Sequence, residues 1–261
     1  MEYSKKHLTV VPTEDGSSTL YNAYFDECCH STSGAYQETL FHYFDGTKLE
    51  HKAQDREYLN VLEVGFGSGL GLKVTIEQAK LKNITTPINF FSLELDRASC
   101  DWALEHTQIE GKSLKHFLTY QDHLLLGQIN NFKVTVILGD ARKQLPAFMQ
   151  LEHFKFDCIY QDAFSPKKNP QLWSVDWFKF LKSLSRPDTI LSTYSSSISI
   201  RKSLYQAGWV IYEGGLFGKK RSSTRATLHG HIDPLILQSF DRSPAQAIIE
   251  NEVEFKESLK C

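Results

Sequence analysis

Apolar positions along the chain fall into short continuous runs that alternate with longer amphipathic stretches. Strand-like runs occupy 58–64, 88–95, 134–138, 156–161 and 189–194. Helix-like stretches follow them at 70–82, 98–106, 142–150, 173–184 and 198–207. This alternation predicts an α/β fold with a mostly parallel sheet covered by helices on both faces. Two further strand-like runs, 209–213 and 226–231, have no helix between them, only the turn-rich 214–224. They predict one antiparallel edge strand in a seven-stranded sheet. At the start, 8–11 and 18–21 flank Glu14-Asp15-Gly16 and predict a β-hairpin, and 35–44 predicts a helix. The stretch between 106 and 134 is less regular, and 234–261 is mixed and charged, with a terminal helix or disorder as its two readings. The expected organisation is an N-terminal hairpin and helical extension at 1–57, a core at 58–233 and a tail at 234–261.

Composition narrows the classes. The 261 residues carry a net charge of −2, so no global basic field advertises nucleic acid, although local basic patches are open. Five cysteines without a CxxC pair argue against a zinc site and for reduced thiols in a cytoplasmic protein. No apolar run is long enough to span a bilayer, and the N-terminus does not read as a signal peptide. The ten histidines show no metal-ligand spacing, and no nucleophile elbow is present. No metal and no membrane partner are expected.

Val61-Leu62-Glu63-Val64-Gly65-Phe66-Gly67-Ser68-Gly69-Leu70 is a strand running into a glycine turn that opens a helix. Glycine is needed where backbone turns sharply and approaches a ligand closely. Gly65, Gly67 and Gly69 give GxGxG, and Leu70 stands where a dinucleotide fingerprint needs its third glycine. The next strand ends at Glu94, about thirty residues after Glu63, where a carboxylate accepts ribose hydroxyl protons. Asp96 reads as a helix cap. Asp140 closes the following strand and has two readings, a partner for an adenine amino group or an N-cap. Acidic strand ends with a GxGxG turn, and no phosphate-binding GK[ST], indicate an adenosyl ligand without a pyrophosphate; S-adenosyl-L-methionine fits. The expected fold is therefore a Rossmann-like class I S-adenosyl-L-methionine-dependent methyltransferase with an N-terminal β-hairpin extension.

Asp162-Ala163-Phe164-Ser165-Pro166-Lys167-Lys168-Asn169-Pro170 follows the strand-like run 156–161. It puts a carboxylate at a strand's C-terminal end, the edge where ligands bind in open α/β sheets. This loop through Trp173, the turn Gly65 to Leu70, Tyr24-Phe25-Asp26, Gln37-Glu38-Thr39, Leu191 to Ser196 and Gly218-Lys219-Lys220-Arg221 carry a family likeness. The chain resembles the methyltransferase half of the bifunctional tRNA 5-methylaminomethyl-2-thiouridine biosynthesis protein, MnmC. It departs from that family at Gly71, where a bulkier residue is usual.

The resemblance implies methylation of a 5-aminomethyl group on the wobble uridine of tRNA, reached through the anticodon loop. It also implies a separate enzyme to make the aminomethyl substrate, because the sequence ends before the family's FAD-dependent domain. Asp162 is then expected to orient the amine, and Phe164 to stack on the base or wall off the site. Glu63, Gly65, Gly67, Gly69, Glu94 and Asp140 are the expected cofactor residues, joined by Tyr24 and Glu38 through the resemblance alone. Pro166, Lys167, Lys219, Lys220 and Arg221 are the expected RNA contacts, with Pro166 stiffening the loop. Arg201-Lys202 reads as solvated surface, and Trp173 as part of a core face with Trp177 and Phe180. The competing reading is a transferase that uses S-adenosylmethionine or its decarboxylated form on a small-molecule amine.

Overall fold

The computed structural model describes residues 7–217 and 222–250. Three short strands, β1 (Leu8–Pro12), β2 (Ser18–Asn22) and β3 (Glu27–Cys28), form an antiparallel sheet of their own. Helix α1 (Ala35–Thr39) runs directly into a π-helical turn at Leu40–Phe44, and α2 (Leu49–Gln54) follows. The expected single helix at 35–44 is therefore split by a widened turn. Such turns re-aim side chains and often stand at functional sites.

The alternating region begins with β4 (Leu59–Val64), α3 (Leu70–Leu81), β5 (Ile88–Glu94) and α4 (Arg97–His106). A small ribbon, β6 (Gln108–Ile109) and β7 (Lys112–Ser113), precedes β8 (Leu118–Gln121) and β9 (Leu124–Ile129). Then come β10 (Phe132–Leu138), α5 (Ala141–Leu151), β11 (Phe156–Gln161), α6 (Val175–Ser183), β12 (Ser185–Thr193) and α7 (Ile198–Gln206). The last described elements are β13 (Val210–Glu213), β14 (Thr224–Thr227) and α8 (Pro234–Arg242). Trp173 belongs to a short 3-10 turn rather than to α6, because Ser174 caps that helix by accepting from Trp177 N.

The large sheet has nine strands in the order β13-β14-β12-β11-β4-β5-β10-β9-β8. β12, β11, β4, β5 and β10 are mutually parallel. Seven of the nine make the expected core; the less regular 107–133 stretch supplies the other two. β8 and β9 pair antiparallel and extend the sheet beyond β10 through a tight turn in which Asn130 takes a positive φ of 52°. The antiparallel strand is also not at the edge. The connection through α7 carries β13 past one strand position, and β14 returns to fill it, antiparallel to both neighbours.

Each face of the sheet carries one apolar cluster. Leu59 and Val61 point to the face covered by Leu72 and Ile76 of α3 and Ala103 of α4. Leu62 and Val64 point to the other, covered by Leu145, Trp177, Phe178 and Leu204. Period-two alternation sends Glu63 to the α3 face, a placement that matters below. The small N-terminal sheet docks on the core through Asp96, the N-cap of α4, which also bonds His7 Nε2 at 2.6 Å and Asn22 Nδ2 at 3.2 Å. Among the described residues no helix is long and apolar enough to cross a membrane.

Candidate active site

Chain order reverses on either side of β4, so β4 and β11 leave a crevice at their C-terminal ends. A cavity of about 620 Å³ opens there. Its floor is the glycine turn after β4, with Glu94 from β5, Asp140 from the end of β10, and Asp162 and Phe164 from the loop after β11. The sequence-predicted Gly65, Gly67, Glu94, Asp140, Asp162, Phe164 and Lys167 thus meet in one space.

Backbone packing sets the glycine turn. Gly65 has φ 106°, and a Cβ there would sit 2.7 Å from the carbonyl oxygen of Asp162. The loop that carries the Asp162 carboxylate therefore lies against the turn, with Asp162 N donating to Val64 O at 3.1 Å. Gly69 also keeps a positive φ and packs against Phe66, but it does not line the cavity.

Glu94 is buried and accepts from Gly67 N at 2.7 Å and Asp96 N at 2.8 Å. Burial raises its carboxyl to about 7, against the opposing effect of those backbone donors. Glu63, by contrast, is brought beneath the turn rather than into the cavity. Ser92 Oγ donates to its Oε2 at 2.6 Å, burial pushes its carboxyl well up, and it braces the turn from below. Gly71 explains itself in this context: a Cβ there would stand 1.8 Å from Glu63 Oε1. Asp140 is the N-cap of its helix and stands at the cavity as well. It caps α5 by accepting from Arg142 N at 3.0 Å, it pairs with the Arg142 guanidinium, and it lines the cavity.

Asp162 is held from two sides. Tyr43 Oη donates to Oδ1 at 2.5 Å, and His30 Nε2 lies 3.6 Å from Oδ2. Burial, then the Asp162 charge, pushes the Tyr43 hydroxyl well above the usual phenol range, so it stays a donor. The Phe164 ring stacks on Phe25 at 4.2 Å, and both rings line the cavity. Trp173 is fully buried and donates its indole N–H to Phe164 O at 2.8 Å, so it braces the loop from the core. Ser165 N donates to Glu27 Oε2 at 3.0 Å, and Lys168 pairs with Asp26 at 3.0 Å, which ties the same loop to the N-terminal extension.

Several expected residues stand elsewhere. Tyr24 is 63% exposed, against His7 and outside the cavity lining. Glu38 is buried, accepts from Ser31 N at 2.7 Å and does not line the cavity. Pro166 lies in the loop but not in the lining, whereas Lys167 and Lys168 are at the rim. Lys219, Lys220 and Arg221 fall outside the described residues. Arg201 and Lys202 are not solvated surface. Arg201 is buried and bonds Thr224 Oγ1, Ser222 Oγ, Ser223 O and Glu213; Lys202 Nζ donates to Ser243 O and Ala245 O. The charges are consumed by carbonyls and hydroxyls that the fold brings to α7 from distant segments.

The site also contains residues that pattern alone did not flag: Phe25, Cys29, His30 and, behind Asp162, Tyr43. All come from the N-terminal extension, whose strands and turns are too short to show a periodic signal. Phe25 adjoins Tyr24, and His30 follows the Cys28-Cys29 pair, but nothing in their spacing points to a pocket.

An α/β sheet of this strand order, with a glycine turn and acidic strand ends around one cavity, defines a class I S-adenosyl-L-methionine-dependent methyltransferase. A family model described as S-adenosyl-L-methionine-dependent methyltransferase matches residues 105–229. MnmC of Ralstonia nicotianae is 30% identical over 237 residues, which cover 86% of this chain and 35% of that protein. A relative from Methanocaldococcus jannaschii is 28% identical over 92% of this chain and 65% of its own length. The crystal structure of MNMC2 from Aquifex aeolicus superposes with a TM-score of 0.75 at 28% identity, over 100% of this chain and 82% of that one. The chain is similar to the methyltransferase part of these MnmC proteins. It spans about a third of the length of the bifunctional relatives it matches.

Proposed function

We propose that the protein methylates the 5-aminomethyl group of the wobble (2-thio)uridine in tRNA, giving 5-methylaminomethyl-(2-thio)uridine, in the cytoplasm. The observation that carries this reading is a fixed carboxylate, Asp162, sharing one cavity with the cofactor-type turn, beside the stacked Phe25–Phe164 pair.

The cavity suits S-adenosyl-L-methionine. Side-chain-free backbone at Gly65 and Gly67 supports close approach of a ligand, and in this reading Glu94, which lines the same cavity, accepts from ribose hydroxyls and Asp140 from an adenine amino group. When bound, that cofactor supplies an electrophilic methyl group on a sulfonium. Glu63 and Gly69 support the turn from behind; Tyr24 and Glu38 have no part in holding the ligand in this reading.

The acceptor is an amine, and an ordinary alkylamine has a pKa near 10, so only about one molecule in a thousand is neutral at pH 7. Asp162 accepts an N–H of the amine, aims its lone pair and stabilises the positive charge that builds on nitrogen. Such positioning supplies several kcal/mol of a barrier. The Tyr43 hydroxyl holds Asp162 in one rotamer while this happens. Phe164, backed by Phe25, excludes water and offers a flat face to the base. A wobble base lies in a single-stranded loop, so bringing it into a pocket is cheap. Lys167 at the rim contacts the phosphates together with Lys219, Lys220 and Arg221, and Pro166 limits the freedom of the loop after β11. A separate enzyme supplies the aminomethyl group.

The test is to incubate the protein with S-adenosylmethionine and tRNA from a strain lacking this activity, then analyse the nucleosides. A gain of 5-methylaminomethyluridine is expected; its absence with well-folded, cofactor-binding protein rejects the reading.

A further inference from the structure

We propose that His30 is a catalytic residue of this site: its imidazole Nε2 takes the proton that the acceptor amine must shed before it can accept a methyl group. This rests on the amine-methylation reading given above.

Three observations converge on His30. It lines the same cavity as Asp162, with Nε2 3.6 Å from Asp162 Oδ2. The residue is anchored from behind by β2: its backbone N–H donates to Thr19 Oγ1 at 2.9 Å, and its ring Nδ1 lies 3.4 Å from the same oxygen. With Nδ1 turned to Thr19, Nε2 is the nitrogen presented to Asp162. The third observation is that the neighbouring groups are either held protonated or turned away from the acceptor. Burial keeps the Tyr43 and Tyr194 hydroxyls and the Cys29 thiol protonated, and Glu94 is turned to the backbone N–H groups of Gly67 and Asp96. An ordinary carboxylic acid is about six pK units stronger than an alkylammonium, so a carboxylate is a weak base towards it, whereas an imidazolium is within about four and an imidazole works best near neutral pH.

The arrangement divides the work. Asp162 orients the ammonium, and Nε2 receives its proton. The N–H bond breaks, a new N–H bond forms at Nε2, and the bonding pair remains on the amine nitrogen as the lone pair that takes the methyl group. The imidazolium so formed lies beside the Asp162 carboxylate, which stabilises it. The titratable and charged groups around this point include Asp162 on the loop after β11, Tyr43 on the π turn, Tyr194 after β12, Cys29 beside His30, Glu27 and Glu38 of the N-terminal extension, Glu94 at the end of β5, and Lys167 and Lys168 at the rim.

The test uses the full chain, saturating S-adenosylmethionine and tRNA bearing 5-aminomethyluridine. His30→Asn and His30→Gln keep a polar side chain beside Thr19. In both, kcat at pH 7 is expected to fall about 100-fold. The deficit should shrink towards pH 10, where the amine loses its proton to water, and S-adenosylhomocysteine affinity should stay within about twofold of wild type. Wild-type kcat from pH 5 to 8 in either folded variant overturns the role. If neither variant folds, an NMR titration of the wild-type histidines with S-adenosylhomocysteine bound decides. A neutral His30 ring at pH 7 supports the role, and an imidazolium persisting above pH 8 overturns it. Wild-type protein inert on this tRNA overturns the amine reading and His30's role together; active wild type with unimpaired variants overturns His30 alone.

Discussion

Tyr43 Oη donates to Asp162 Oδ1 across 2.5 Å, joining the π-helical turn of the N-terminal extension to the loop after β11. The Tyr43 ring itself is stacked on Tyr160 at 5.4 Å, so removing the hydroxyl leaves the packing in place. Tyr43→Phe should lower kcat about tenfold with unchanged S-adenosylhomocysteine binding, because Asp162 loses its aim rather than its charge. Asp162→Asn should lower single-turnover methylation by about 100-fold or more while tRNA binding is kept. Full turnover in Asp162→Asn would remove Asp162 from the chemistry.

Glu94 makes both stability and cofactor affinity depend on pH. Its folded value of about 7 lies above the 4.5 of an ordinary glutamate. Between those limits the folded state binds more protons than the unfolded chain, so the contribution is full below about 4.5 and is lost as pH rises through about 7. The swing amounts to about 3 kcal/mol. Urea unfolding of ligand-free protein should show wild type losing that much relative to Glu94→Gln between pH 4.5 and 8. S-adenosylhomocysteine affinity should rise over the same window in wild type, where the carboxylate form accepts ribose hydroxyls, and stay weak and flat in the variant.

Close approach fixes two glycines for different reasons. Gly65→Ala would drive a Cβ to 2.7 Å from the Asp162 carbonyl at φ 106°, so it should destabilise by roughly 1–3 kcal/mol and weaken cofactor binding. Gly71→Ala meets the Glu63 carboxyl instead. Because Ser92 Oγ donates to the buried Glu63 Oε2, a bond that an amide oxygen also accepts, the near-isosteric Glu63→Gln should stay within about 1 kcal/mol of wild type. Thermal unfolding of the three variants checks the ranking.

Arg201 should prove a fold residue. Truncation to Ala strands the Thr224, Ser222 and Ser223 acceptors and Glu213, and should cost about 3 kcal/mol. Arg201→Lys should recover little, since one ammonium cannot replace a planar fork with four partners. Chemical denaturation reads both, and a loss within about 0.5 kcal/mol for Ala would contradict the assignment.

Rim charge should appear in the salt dependence of tRNA binding. Lys167→Ala should weaken affinity and reduce the slope of log K against log salt by about 0.7, the value for one phosphate contact on a single strand. Reversing Lys219, Lys220 and Arg221 together should reduce the slope further; a slope that does not move would take these side chains off the RNA.

Much of this was legible in the chain because its physics is local. Apolar runs bounded by turns marked β4, β5, β10 and β11, and the run at 156–161 matched β11 at both ends. Acidic residues closing strands marked Glu94, Asp140 and Asp162 as cavity residues, since a strand's end is also the sheet's edge. The 107–133 stretch hid two strands because an edge hairpin buries only part of its surface, so β9 lacks a clean alternation. Glu63 was misplaced for a simple reason: strand alternation sends it to the α3 face, while its neighbours in the turn open to the cavity.

The sequence by itself determined the α/β class, the glycine turn, the carboxylates at strand ends and, through the Asp162 to Pro170 loop, the likeness to MnmC. Each depends on residue type and short-range spacing. Only the tertiary structure decided that Tyr43 and His30 flank Asp162, that Arg201 is a buried brace, and that Tyr24 and Glu38 stand outside the cavity. Those facts depend on contacts between separate segments, 119 positions apart for Tyr43 and Asp162 and 12 to 23 for Arg201 and its partners, or on a docking geometry that no periodicity records.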